Sequence, residues 1–137
     1  NSAINNNYVI FGRSLSRGND TNQFGTKMDC QGQLYGERYA NEVNFPNIFT
    51  WLGLVGLFLN CAIFIQASYR AIKKSNSHYM KLVGLFVAFH FLLGWMEDIS
   101  GVTISYITIW TAIAMCYSDG FLKMNDIEFE FFVRELL

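Results

Sequence analysis

Between Asn47 and Tyr69 the chain reads "NIFTWLGLVGLFLNCAIFIQASY", and the only strongly polar side chains inside it are Asn60 and Gln66. As a helix this run is about 34 Å long at 1.5 Å per residue, enough to cross a hydrocarbon core. Few soluble core helices need so much uninterrupted apolar length. Pro46 suits a first helical turn, where its missing N–H costs nothing, and Asn44 and Asn47 offer capping oxygens. Trp51 and Tyr69 stand near the two ends, as interfacial aromatics do. Gly53 and Gly56 make one face of the early helix small enough for close helix contact.

The segment that follows, "RAIKKSNSHYMK", holds Arg70, Lys73, Lys74 and Lys81 without an acidic residue. By the positive-inside tendency it is cytoplasmic, which puts residues 1–46 outside. Residues 82–96, "LVGLFVAFHFLLGWM", form a second apolar run ending at Glu97 and Asp98, and 99–117, "ISGVTISYITIWTAIAMCY", form a third. The second is short for a crossing and recruits Tyr79 to Lys81 by snorkelling, or bends near Gly94. Glu97, Asp98, Ser100 and Gly101 then form a tight outside turn. The tail "FLKMNDIEFEFFVRELL" mixes apolar and charged residues as an amphipathic helix would, with Asn125 or Asp126 as its start.

The expected architecture is an all-α integral membrane protein. A polar extracytoplasmic (periplasmic) loop segment, 1–46, precedes about three transmembrane helices within 47–117, at about 47–69, 79–97 and 99–117. A cytoplasmic amphipathic tail, 118–137, closes the chain. Composition agrees: 52% of residues are hydrophobic and 17% aromatic, a share that a domain of 137 residues must hide somewhere. A first residue of Asn with no basic-then-apolar leader is consistent with a mature or excised piece of something longer.

A net charge of -1 and the lack of a basic, aromatic-interleaved stripe set nucleic acid aside. Cys30, Cys61 and Cys116 are far apart in sequence, which points to neither a disulfide framework nor a metal site but to small hydrophobes in packed helices. No cofactor is implied.

The polar leader is where chemistry could lie. It contains Gly12, Gly18, Gly25, Gly32 and Gly36, with Arg13, Arg17, Lys27 and Arg38 between them. Glycine lets backbone N–H groups turn toward an anion, and guanidinium forks bind phosphate oxygens bidentately. A loop of this kind leading into a membrane helix could receive a phosphate-bearing lipid; a solvated, turn-rich loop with balanced charge is the plainer alternative. "FGRSLSRG" is not a Walker loop, since no GKS or GKT closes it. Asn19-Asp20-Thr21 matches a glycosylation pattern that matters only in a eukaryotic secretory protein, and no calcium-binding series is present. His90, inside the second run, is either functional or a neutral histidine bonded to a neighbouring helix. Glu97 and Asp98 are best read as a solvated helix end, because adjacent residues do not share a helix face.

The order "VIFGRSLSRG", a polar segment of roughly thirty residues, then "NEVNFPNIFTWLGLVGLFLNCAIFIQASYRAIKK" resembles the C-terminal third of bacterial O-antigen polymerases and their O-antigen ligase relatives. In that family an "FGRG"-like turn ends a large periplasmic loop, a helix with an "lGlvGl"-like core follows, and two last helices and a short cytoplasmic tail complete the chain. The resemblance implies metal-independent transfer of a glycan from a polyprenyl diphosphate to a sugar hydroxyl at the periplasmic face of the inner membrane. The implied partners are membrane lipid, the polyprenyl-diphosphate-linked oligosaccharide, and other chains or further helices of the same protein. It implies that Arg13 and Arg38 stabilise the departing diphosphate and that Glu42 or a nearby tyrosine orients or deprotonates the acceptor, with Gly12, Arg17 and Tyr39 contributing to substrate binding. The turn lacks the family's second glycine, and Asn41-Glu42 replaces the His-Asn dipeptide of ligases, which favours the polymerase side. A small accessory subunit with no chemistry of its own is the alternative, and a transporter fragment using His90 and Glu97 a third.

Overall fold

The computed structural model describes residues 4, 7–13, 19–21, 27–28, 34–38, 42–97 and 103–136, with the strands described by their backbone. The chain is predominantly helical: α1 spans Asn44–Lys74, α2 His78–Leu93, α3 Ile104–Tyr117, α4 Asp119–Lys123 and α5 Asp126–Leu136. Within the segment expected to be loop, three short strands form: β1 (Asn19–Thr21), β2 (Lys27–Met28) and β3 (Leu34–Arg38). β3 is central and antiparallel to both others, with Asp20 opposite Glu37 and Lys27 opposite Tyr35. The described residues belong to two units, one built from the chain up to Asn60 together with the turn after α2, the other from the remainder of the helices.

In the first unit the decisive feature is a break in α1. Gly53 adopts φ 66° and ψ -160°, a region open essentially to glycine alone. A continuous helix would bond the N–H groups of Leu54 and Val55 to the carbonyls of Thr50 and Trp51. Here Leu54 N–H donates to the Val9 carbonyl at 2.9 Å and Val55 N–H to the Ile10 carbonyl at 3.2 Å. In return the freed Thr50 carbonyl accepts from Arg13 N–H at 2.8 Å. Residues 8–13 therefore supply partners to three of the four groups that the break frees. They form a tight turn closed by Gly12 N–H to the Tyr8 carbonyl at 2.8 Å, with Gly12 at φ 74°. The two glycines let the backbones touch: a Cβ on Gly12 would lie 2.4 Å from the Leu52 nitrogen, and one on Gly53 2.3 Å from the Ile10 carbonyl oxygen. The expectation that Gly53 lies in a regular helix offering a face to a neighbour is thus corrected, because the glycine is spent on the backbone itself.

The start of α1 is tied to the end of α2's following turn. Asn44 N–H donates to the Glu97 carbonyl at 3.2 Å, and the rings of Phe45 and Trp95 lie 4.3 Å apart. Pro46 falls in the first turn, as its chemistry requires, and the Thr50 hydroxyl bonds back to its carbonyl at 2.8 Å.

In the second unit, the rest of α1 packs on α2 at Gly84, where an added Cβ would come within 2.7 Å of the Ala71 Cβ. The Ser68 hydroxyl donates to the Gly84 carbonyl there at 2.9 Å, so close approach and polar satisfaction coincide. α2 and α3 then enclose a core of Phe64, Ala67, Met80, Val87, Ile109 and Cys116. Gln66, a polar interruption of the long apolar run, meets the Tyr117 hydroxyl at 3.1 Å. Both short helices are trimmed relative to the sequence expectation: α2 ends at Leu93, where Gly94 opens a turn, instead of at 97, and α3 begins at Ile104 under a Thr103 cap instead of at 99. α5 begins as expected, in a reciprocal cap: Glu128 N–H donates to the Asn125 side chain and Asn125 N–H to the Glu128 carboxylate, both at 2.9 Å.

Among the described residues one helix, α1, is long and apolar enough to cross a membrane; α2 and α3 are apolar but shorter. Only 22% of the most apolar window of α1 is buried, the reverse of a soluble core helix. Phe58, Leu59, Ile65, Leu85, Phe89 and Ile107 all stand exposed on the three apolar helices. Beyond the break, residues 54–74 run about 32 Å, close to the ~30 Å hydrocarbon thickness, whereas α1 unbroken would be about 46 Å.

The break gives a direct expectation for stability. Gly53→Ala is expected to destabilise the purified protein by about 3 kcal/mol or more, through both backbone strain and collision with Ile10. Gly120→Ala, whose added Cβ would find its nearest neighbour at an ordinary 3.6 Å, is expected to be neutral or slightly stabilising. Thermal unfolding of the two variants side by side checks this.

Candidate functional site

The break in α1 and the turn docked on it bring together two motifs that lie far apart in sequence, "FGR" and "LGLVG". Arg13 is held there by its own backbone N–H, which donates to the Thr50 carbonyl. The guanidinium lies over the Tyr8 ring, 5.1 Å from its centroid, and Tyr8 is only 5% exposed, so the aromatic face is a fixed platform. Arg13 itself is half-buried. A permanently charged, planar fork on a rigid support, beside the interruption of a long apolar helix, is suited to an anionic oxygen cluster.

Gly12 supplies the left-handed residue of the turn and the gap that admits α1. Glu42 is exposed, two residues ahead of α1. Arg38 ends β3, and its side chain lies outside the described residues, as do Arg17 and Tyr39 altogether. Gly12 and Arg13 are therefore brought to the break. Sequence reasoning missed Tyr8 and Thr50. The signal for Tyr8 was present, an aromatic in the same turn as the arginine; the Thr50 carbonyl carries no sequence signal.

No group of three metal-ligating side chains occurs among the described residues. His90 contacts the Phe86 ring at 5.3 Å, and its Nδ1 is buried without a hydrogen-bond partner among the described residues. The Glu97 side chain is exposed, in keeping with a solvated helix end.

The basic loop has a structural role in addition to its charge. Arg70 donates to the carbonyls of Cys116 at 3.4 Å and Tyr117 at 3.1 Å and pairs with Asp119 at 2.7 Å, closing the C-terminal end of α3. The tail is docked by Asp126, which accepts from the Ser77 hydroxyl at 2.6 Å and from His78 N–H at 2.7 Å. The Ser77 bond, followed by those from the backbone, holds the Asp126 carboxyl below its ordinary value. A depressed carboxylate lends stability that is complete at neutral pH and is lost as the pH falls through that lowered value. Acidification through that range, or Asp126→Ala at neutral pH, is expected to speed amide hydrogen exchange throughout α5 while α2 stays protected.

Comparison of the chain with protein-family models, with curated proteins and with solved structures gives no match.

Proposed function

We propose that the chain is the C-terminal part of a polysaccharide polymerase of the O-antigen type, an integral membrane glycosyltransferase of the bacterial cytoplasmic membrane. The observation that carries this reading is the Gly12 turn seated in the break of α1, which fixes the Arg13 guanidinium beside a helix of membrane-crossing length. In this reading residues 1–46 are periplasmic, α1, α2 and α3 are three crossings, and the tail is cytoplasmic. The two short crossings, about 24 and 21 Å long, require local thinning of the bilayer or snorkelling of flanking residues.

The acceptor hydroxyl oxygen attacks the anomeric carbon of the lipid-linked glycan. The bond from that carbon to the diphosphate breaks with its electron pair, and the polyprenyl diphosphate departs. Arg13, joined by Arg38, stabilises the negative charge developing on the leaving oxygens, which a preorganised fixed charge does at no reorganisation cost. Glu42, exposed just ahead of α1, takes the hydroxyl proton. Gly12, Arg17 and Tyr39 complete the binding surface for the glycan and its diphosphate. No metal or cofactor is required.

A second reading, a non-catalytic subunit of a larger membrane complex, is favoured by the tail: Ile127, Phe131 and Val133 are exposed on α5, a surface suited to a protein partner.

The two readings separate on the arginines. Arg13→Ala keeps the backbone bond to Thr50, so the protein is expected to accumulate normally while glycan lengthening in the source membrane falls by about 100-fold or more. Arg38→Ala is expected to do the same, and Arg13→Lys to retain part of the activity. Unchanged glycan length in both alanine variants would defeat the catalytic reading and leave the subunit reading standing.

A further inference from the structure

Two open apolar grooves flank α2, and they differ in one respect. The first, about 480 Å³, lies against α3 and is lined by Leu82, Phe86, Ile107, Thr108, Thr111 and Met115 among others. Its threonine hydroxyls are turned back onto the carbonyls of Ile104 and Ile107, both at 2.9 Å, so it offers nothing polar to an occupant. The second, about 390 Å³, lies between α1 and α2; Phe64, Ile65, Ala88, Phe91 and Leu92 line its apolar length, and Tyr69 and Lys73 its other end. The floor hydroxyl, Ser68, is already spent on the Gly84 carbonyl. From Phe64 to Lys73 the groove follows α1 for about 14 Å, the reach of a substantial part of an acyl chain.

The charged end is distinctive. Lys73 is exposed and has no ion-pair partner among the described residues, in contrast to Arg70, one turn earlier, which Asp119 neutralises. Lys74 follows, and neither His78 nor Lys81 brings a negative charge to this loop. An apolar trough that ends in an unneutralised ammonium and a phenol at a helix end complements an amphiphile with one negative head. We propose that this groove is a binding site for an anionic glycerophospholipid, its acyl chain along Phe64, Ala88 and Leu92 and its phosphate at Lys73 and Tyr69. Inside a bilayer every apolar groove meets lipid tails, which pack equally well whatever head they carry. The head therefore decides occupancy, and a lysine at the membrane surface favours an anionic one. The inference requires α1 to lie in a bilayer and is independent of the glycosyl-transfer reading.

The test is native mass spectrometry of the full protein released from nanodiscs of mixed phosphatidylglycerol and phosphatidylethanolamine. Retained lipid is expected to be enriched in phosphatidylglycerol by about fivefold over the bulk ratio. Lys73→Gln is expected to return the retained lipid to the bulk ratio, and Lys74→Gln to leave most of the enrichment in place. Ala88→Phe, which fills the groove, is expected to lower the amount of retained lipid, whereas Thr111→Phe in the other groove leaves the phosphatidylglycerol enrichment unchanged. Equal effects of Lys73→Gln and Lys74→Gln would mean diffuse surface attraction and overturn the site, as would enrichment that survives Lys73→Gln. A protein extracted from membranes by carbonate would overturn both this inference and the membrane reading, while loss of enrichment in a protein with intact glycan lengthening would overturn this inference alone.

Discussion

The exchange of backbone hydrogen bonds at Gly53 is the constraint around which the first unit is organised. Two N–H groups and a carbonyl freed in the middle of an apolar helix are costly to leave unmet, several kcal/mol each wherever water is excluded. The chain meets the debt with the carbonyls of Val9 and Ile10 and the N–H of Arg13. Everything else in that neighbourhood follows from the closeness this demands: glycine at both 12 and 53, a buried Tyr8 beneath the turn, and an arginine whose guanidinium lies over that ring.

The second unit obeys the same rule by a different route. Its polar side chains are spent on backbone or on each other: Ser68 on Gly84, Gln66 on Tyr117, Thr108 and Thr111 on their own helix, Arg70 on the end of α3. What remains outward is apolar along the helices and charged at the loop between α1 and α2. The unpartnered Nδ1 of His90 is the exception among the described side chains.

The helices were legible because apolar length and capping chemistry are local. The run after Pro46, the start at Asn125 and Asp126, and the apolar character of all three long helices can be read from adjacent residues. The break was not legible, since a glycine within "WLGLVGL" is equally compatible with a regular helix and only a partner segment far upstream decides the matter. For the same reason Arg70 read as one positive charge of a loop, although it caps a helix that begins thirty-four residues later. The short strands escaped notice because their pairing depends on register with β3 more than on composition. Of the expected site, Gly12 and Arg13 were visible in the "FGR" turn. What holds them was invisible, because the acceptor is a main-chain carbonyl that any residue at position 50 would supply.

The docked turn also bears on how the protein is made. Residues 8–13 leave the ribosome before α1, so the groups that complete the helix already exist when Gly53 emerges. Until they meet, α1 is either a straight rod longer than the bilayer is thick or two pieces with bare backbone between them. Maturation of this helix is therefore a joining of two parts of the chain, and any process that detains residues 8–13 elsewhere holds the helix in an unfinished form.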